Sequence, residues 1–332
     1  MGFLASSRRV KVAAMDALHY FIERDGFFTT QMALEVGYAK RDITRMARSG
    51  EWHRIRRGAY APGAMWLELD PVGQHQVWAR AVMRSLGDSV ALSHVSGVVA
   101  HGIDVWNLPL DRVHVTRLDG GAGRIEGDVV RHEGFSLDHE LVEADRMRAM
   151  LPERCVLEAA SRVDRETAWC LLDAGLRSGT FDRDGLEAAY EIMQHWPFMH
   201  RVRGLVPFAD GRSGSIGESR GKHLFRSFGL PQPELQYEVR RADGSIAGVT
   251  DWAWPEYGLL GEFDGRIKYG RLLKPGQDPG DVVFAEKRRE DELREITGFS
   301  MIRLIWSDFA NAAVTAARVR RALSLSKGMQ TK

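Results

Sequence analysis

The sequence predicts an α+β protein of more than one domain, and three observations carry that expectation. Its length of 332 residues suggests two to three domains, because one domain usually takes roughly 100–200 residues. The charge is unevenly spread: 46 Lys+Arg nearly balance 45 Asp+Glu overall, yet residues 1–64 hold 11 against 6, a net of +5 that leaves −4 for the rest. The hydrophobic pattern also changes along the chain. Helical and alternating segments form two series, separated by a Gly-, Ser- and Asp-rich stretch over 207–217 that reads as a linker.

Composition narrows the class. With 44% hydrophobic and 27% charged residues, the chain matches a globular average, not a disordered or fibrous one. No run of about 18 apolar residues predicts a membrane-spanning helix. The N-terminus lacks an apolar secretion signal with a small-residue cleavage site. Cys155 and Cys170 are too few for a disulfide framework; they are expected as small core residues in a reducing cytoplasm.

The basic N-terminal part, residues 1–64, is predicted first. Val12, Met15, Leu18, Tyr20 and Ile22 give an approximate helical pattern over Lys11 to Arg24. Thr29 and Thr30 offer N-cap hydroxyls for a short helix from Gln31 to Val36, which Gly37 ends. A second helix spans about Ala39 to Ser49, and Gly50 stops it. Trp52 to Tyr60 then alternates, with Trp52, Arg54 and Arg56 on one face and His53, Ile55 and Arg57 on the other. Helix, short helix, turn, helix and basic hairpin together predict a winged helix-turn-helix.

Residues 65–205 predict a mixed α/β middle domain. Helices are expected over Pro71 to Ser85, Ser93 to His101, Glu153 to Ser161, Glu166 to Arg177 and Asp184 to Met193. Short strands are expected over Val113 to Thr116 and Val129 to His132, joined across the glycine-rich Gly120 to Gly127. Residues 206–325 predict the order α-β-β-β-α-β-α. These elements are Glu218 to Phe228, Leu235 to Arg240, Ile246 to Trp254, Leu259 to Phe263, Asp281 to Ile296, Met301 to Trp306 and Ala310 to Leu323. Asp243-Gly244 is a hairpin dipeptide between the first two strands. Arg288–Glu292 and Glu290–Arg294 are helical ion-pair spacings. A frayed tail is expected at the end, over 326–332.

Two sets of residues point to chemistry. Lys40, Arg41, Arg45 and Arg48 recur at helical spacing and form one cationic stripe suited to phosphates and major-groove base edges. Arg54, Arg56 and Arg57 on the wing suit a flanking phosphate or the minor groove. Seven such contacts with double-stranded DNA would give a salt slope of about −6. A solvated basic face, with Arg57 pairing Glu51 or Asp42, is the plainer alternative.

The second set is acidic. Glu218 falls on a helix, Asp251 late in one strand, and Glu262 and Asp264 on one face of the next. Adjacent strands can bring Asp251 and Glu262 to one sheet edge. A hard cation, Mg²⁺ or Mn²⁺, offsets the repulsion of clustered carboxylates and can activate water for phosphodiester hydrolysis. Solvated surface carboxylates on a structural domain are the alternative.

Other candidates carry less. His94, His101, His114, His132 and His139 fall in the middle domain without a Cys or HExxH pattern. His94 is expected at a helix start and His101 before the Gly102 stop. Gly121, Gly123 and Gly127 lack the dinucleotide fingerprint. Gly217 to His223 is one residue short of a phosphate loop and reads as linker and helix start. Trp252 and Trp254 are expected in the core, with stacking on an unpaired base as the alternative.

Two resemblances add to this. Ser215-Ile-Gly-Glu218, Thr250-Asp251-Trp252, Glu262-Phe-Asp264-Gly265 and Phe299-Ser-Met-Ile-Arg303-Leu-Ile-Trp306-Ser-Asp308 resemble the PD-(D/E)XK nuclease superfamily, in particular its very-short-patch-repair-like branch, over about 213–323. The resemblance implies a restriction-endonuclease-like α/β domain with Glu218, Asp251 and Glu262 on a metal. The superfamily usually has Lys where Asp264 stands here, and the branch it resembles commonly carries this acidic residue. Asp264 would be a second ligand or base, and Lys268 or Arg266 would supply the cation. Phe27-Phe-Thr-Thr30, Arg54-Ile-Arg-Arg-Gly-Ala-Tyr60 and Leu92-Ser-His-Val-Ser-Gly97 with His101-Gly102 resemble the AbiEi antitoxin family of type IV toxin–antitoxin systems, over 10–205. That resemblance implies operator binding, autorepression and neutralisation of a nucleotidyltransferase toxin. The leading expectation is a DNA-binding protein with Mg²⁺-dependent endonuclease chemistry, in phage defence or DNA processing. The alternative is an antitoxin and autorepressor without catalysis.

Overall fold

The computed structural model describes residues 18–134, 140–265 and 279–330. The chain divides into two compact units, 1–163 with 184–200, and 164–183 with 201–332. The first therefore holds the N-terminal part and most of the expected middle domain.

Among the described residues the first unit opens with helix α1, residues 18–25; the earlier part of the helix expected from Lys11, with Val12 and Met15, lies outside them. Strand β1 (Phe28–Thr29), helix α2 (Thr30–Glu35), helix α3 (Lys40–Ser49) and the hairpin β2 (Trp52–Arg56) and β3 (Ala59–Pro62) follow. The Thr29 hydroxyl accepts the Met32 N–H at 3.2 Å, which caps α2. Gly50 closes α3 in the left-handed conformation, φ +80°. β3 pairs with both β1 and β2, giving the order β1-β3-β2. Phe28, Met32, Ile43 and Trp52 are buried between helices and sheet, with Phe28 edge-on to Trp52 at 4.5 Å. This is a winged helix. The simple alternation expected over 52–60 is broken, because Arg54 pairs Tyr60 whereas Arg56 pairs Ala59. Ile55 sits in that shift and packs against a second cluster built on Phe27, Ala59, Val77 and Ala81.

Helices α4 (Gly63–Glu68) and α5 (Pro71–Leu86) lead into the rest of the unit. Asp70 caps α5 by accepting the Gly73 N–H at 2.7 Å. A six-stranded sheet follows, built from β4 (Val90–Leu92), β5 (Val113–Arg117), β6 (Arg124–Glu126), β7 (Val129–His132), β8 (Leu141–Ala144) and β9 (Met147–Met150). Its order is β6-β7-β5-β4-β9-β8. β5 and β7 run parallel, so the glycine-rich segment between them is no hairpin loop; it contains edge strand β6. Helices α6 (His94–Ala100), α7 (Pro152–Ala160) and α9 (Arg183–Met193) complete the unit.

The second unit contains α8 (Arg165–Ser178), α10 (Ile216–Ser227), β10 (Glu234–Arg240), β11 (Ile246–Trp254), β12 (Leu259–Asp264), α11 (Pro279–Thr297), β13 (Ser300–Ile305) and α12 (Ala312–Gln330). The order α-β-β-β-α-β-α from α10 onward is the one expected. β10, β11 and β12 are antiparallel neighbours, and β13 lies parallel to β12. Trp252 and Trp254 are buried beneath the edge of Phe225, at 5.2 and 5.1 Å, so both are core residues.

Three expectations shift. The helix over 165–178, expected in the middle domain, belongs to the second unit, because Asp173 and Glu166 pair with Lys222 and Arg220 of α10. The expected 207–217 linker contains a short 3-10 turn, Val206–Phe208, and gives way to α10 at Ile216. α12 continues to Gln330, through much of the expected tail.

Candidate functional site

Helix α3 and the wing set the first site. Ile43 is buried and turns one face of α3 inward, which places Lys40, Arg41, Arg45 and Arg48 on the exposed faces. Arg45 lies 3.6 Å from Asp42, an exposed pair of little energetic weight. Asp42 also accepts the Ala39 N–H at 3.4 Å, and Glu51 accepts the Ser49 hydroxyl at 3.0 Å. None of these contacts involves Arg57, which pairs with neither Asp42 nor Glu51 among the described residues. Lys40, Arg41, Arg48, Arg54 and Arg57 are exposed and without an ion pair among the described residues. Arg56 departs from the expected set. It is half-buried and its Nε lies 3.2 Å from Asp128, so its charge is already matched inside the unit.

The second site is the acidic set, and each carboxylate has its own partners. Ser215 caps α10 by accepting the Glu218 N–H at 3.3 Å, and its hydroxyl donates to the Glu218 carboxylate at 2.8 Å. Glu218 also accepts the Gly214 N–H at 2.6 Å and the Gln236 amide at 2.9 Å. Gln236 holds a left-handed backbone, φ +51°. Asp251 accepts the Phe263 N–H at 2.7 Å. Glu262, buried at 7% exposure, accepts from Arg289 at 2.6 Å and from Arg303 at 3.1 Å. Arg303 stands opposite Glu262 in the parallel β12–β13 register, and it also reaches Glu290 at 3.1 Å.

As arranged, this donor set does not fit Mg²⁺. A hard cation needs converging carboxylate oxygens, and here two guanidinium groups take Glu262 while capping donors take Glu218. Asp264 is half-buried at the end of β12. Lys268 and Arg266 lie outside the described residues. Sequence spacing places the carboxylates on the right strands but gives no sign of Arg289, which arrives from α11.

The phosphate-loop-like segment is also resolved. Gly217 and Gly221 face the sheet, where an added Cβ would fall 1.9 Å from the Phe263 ring and 2.2 Å from the Trp252 ring. Lys222 points to Asp173, at 2.9 and 3.1 Å.

Three of the five middle-domain histidines converge. His94, His114 and His132 are the one group of three potential metal-donor side chains within 4.8 Å of one another among the described residues. His101 turns away and donates to the Met150 carbonyl at 2.8 Å; His139 lies outside the described residues. Burial, then the neighbouring His94, lowers His114 to about 3 and His132 to about 2. Burial opposes the Glu158 carboxylate, but His94 and Arg154 overcome it and hold Glu158 at about 2. Burial pushes the Cys155 and Cys170 thiols up, as befits core residues. No helix among the described residues is long and apolar enough to cross a membrane.

A winged helix with exposed cations on its second helix-turn-helix helix belongs architecturally with nucleic-acid readers. Consistent with that, residues 15–63 match the family described as "Transcriptional regulator, AbiEi antitoxin". The uncharacterized proteins MT2308 and Rv2248, from the CDC 1551 / Oshkosh and H37Rv strains of Mycobacterium tuberculosis, are each 30% identical over 180 residues. The match takes in 54% of this chain and 63% of theirs, so it spans less than two thirds of these relatives. The crystal structure of the RV2827C protein from Mycobacterium tuberculosis covers 69% of this chain and 84% of its own, at 18% identity and a TM-score of 0.37. That score is too low to equate the folds.

Proposed function

We propose that the chain is a DNA-binding transcriptional regulator of the antitoxin type. The observation that carries this reading is the set of unmatched cations on α3 and the wing, inside the segment that matches the AbiEi family. α3 would enter the major groove with Lys40, Arg41, Arg45 and Arg48, and Arg54 and Arg57 would hold flanking phosphates. Autorepression follows if the operator lies upstream of its own gene. Footprinting on that upstream DNA tests it. Protection lost in Arg45→Ala supports the reading; equal binding to every duplex, unchanged in Arg45→Ala, contradicts it. The finer expectation is a nucleotidyltransferase toxin partner. Co-expression with the product of a neighbouring nucleotidyltransferase gene should restore growth.

A second reading makes the C-terminal unit a phosphodiester hydrolase. It rests on the placement of Asp251 and Glu262 on neighbouring strands, and it requires Arg289 and Arg303 to give way. Cleavage of matched or mismatched duplex with Mg²⁺ or Mn²⁺, lost in Asp251→Ala, would establish it. Intact DNA under all these conditions would leave the regulator reading alone.

A further inference from the structure

We propose that His94, His114 and His132 form a binding site for one divalent transition-metal ion of the Zn²⁺ class. The three rings come from three elements of the first unit. His94 opens α6, His114 is the second residue of β5, and His132 ends β7. β5 and β7 are parallel neighbours, with His114 opposite Val130 and Thr116 opposite His132. The two strand histidines therefore project from the same sheet face.

Each of the three rings brings one nitrogen within 4.8 Å of the other two. His114 Nδ1 and His132 Nε2 share a hydrogen bond at 2.9 Å, whose proton a metal would displace. Two nitrogens sharing a tetrahedral Zn²⁺ at bonds of about 2.0–2.1 Å are roughly 3.3 Å apart, so a small opening of this pair admits an ion. His94 stacks on His132, with ring centroids at 3.6 Å. All three rings are of the ligand type that soft and borderline divalent ions prefer, and no carboxylate is among them.

His94 is also held as a ligand would be. Its Nδ1 lies 3.2 Å from the buried Glu158 carboxylate, and its backbone N–H donates to the same carboxylate oxygen at 3.2 Å. Arg154 fixes the other Glu158 oxygen at 3.0 Å. Nδ1 also lies 3.1 Å from the Ser93 hydroxyl oxygen; with Nδ1 taken by Ser93 and Glu158, Nε2 of His94 is the donor left for a metal. A carboxylate behind a ligating imidazole is a recurrent outer-shell arrangement that sets the tautomer and orients the ring. His94 pays for this position with a left-handed backbone, φ +50°. Such strain in a non-glycine residue persists where its surroundings impose it, and it concentrates at functional sites.

Three protein ligands leave a fourth position for water or an exogenous donor. Because His114 and His132 are only partly buried, that position has a route to solvent. The ion would join α6 to β5 and β7, so binding would stabilise the first unit.

The test uses the untagged full-length chain, stripped with a chelator and titrated with Co²⁺ and then Zn²⁺. The expected results are one ion per chain by elemental analysis, a visible Co²⁺ spectrum of tetrahedral type that Zn²⁺ abolishes, and a higher Tm with Zn²⁺. Glu158→Gln should weaken affinity about 10–100-fold at unchanged stoichiometry. His114→Ala and His132→Ala should abolish the spectrum, with circular dichroism confirming that each variant is folded. The wild-type titration keeps the test decisive even if a variant does not fold. A stripped wild-type chain that takes up no stoichiometric ion overturns the proposal, as does binding that survives in both histidine variants.

Discussion

Arg56 of the wing lies 3.2 Å from Asp128, the residue that precedes β7. The same carboxylate accepts the Trp78 indole N–H at 3.0 Å. The wing is thus tied to the sheet within one compact unit, and Arg56 acts as an anchor while Arg54 and Arg57 remain exposed. Asp128→Ala would leave two partly buried donors without an acceptor, at a cost of about 1–3 kcal/mol. Thermal denaturation should show a lower Tm with the salt dependence of DNA binding unchanged. An unchanged Tm would remove the anchor from the account.

Asp173 is fully buried and Lys222 is 5% exposed, and they pair at 2.9 Å. Removing one member strands the other charge, which costs about 3–5 kcal/mol. Asp173→Ala should shift the denaturant midpoint accordingly. Asp173→Leu combined with Lys222→Met should recover most of the loss, because the buried charges go together. A double variant no better than the single one would mean that the pair is not the source of the loss.

Gly221 lets α10 approach Trp252, since a Cβ there would fall 2.2 Å from the ring. Gly221→Ala is expected to destabilise the second unit by about 1–3 kcal/mol through overpacking. Trp fluorescence during urea unfolding reads this directly. Wild-type stability would show that the helix shifts without cost.

His75 is buried, and burial lowers its pKa. Its Nε2 lies 2.8 Å from the Ser96 hydroxyl and its Nδ1 3.1 Å from the Leu110 carbonyl. The folded state keeps this ring neutral below the pH near 6.5 at which the unfolded chain binds a proton. Its stabilising contribution is therefore full above pH 6.5 and falls as the pH drops, by at most about 1.4 kcal/mol per pH unit. His75→Gln should flatten the acid side of the stability profile by up to one proton. Parallel profiles for the two proteins would contradict this.

The elements that sequence reveals well are those with local punctuation. Thr29, Gly37 and Gly50 mark α2 and α3, and Asp243-Gly244 marks the β10–β11 hairpin, where Gly244 has φ +82°. Strands β4, β8 and β9 are short and lack such marks. Val90 to Leu92 are all buried, so they show no alternation. The β8–β9 turn places Asp145 and Arg146 at φ +47° and +61°, without the glycine or asparagine that would announce it. Long-range partners are the least legible. Nothing near Glu262 in sequence signals Arg289, and nothing near Asp173 signals Lys222. The expected ion pairs on α11 show the same limit: Glu290 and Arg294 are 3.9 Å apart, but Glu292 pairs instead with Arg241 at 2.6 Å. The three histidines come from segments 18 or more residues apart, and only the fold brings them together.

The central claim is that α3 and the wing read DNA, and a salt series of binding to the chain's own upstream DNA, followed by fluorescence anisotropy, tests it most directly. Six exposed cations, Lys40, Arg41, Arg45, Arg48, Arg54 and Arg57, would give a log–log salt slope near −5 if each meets a phosphate. Arg57→Ala should reduce the slope by about 1 without lowering Tm. A slope near zero, or one unmoved by Arg57→Ala and Arg48→Ala together, would contradict the account.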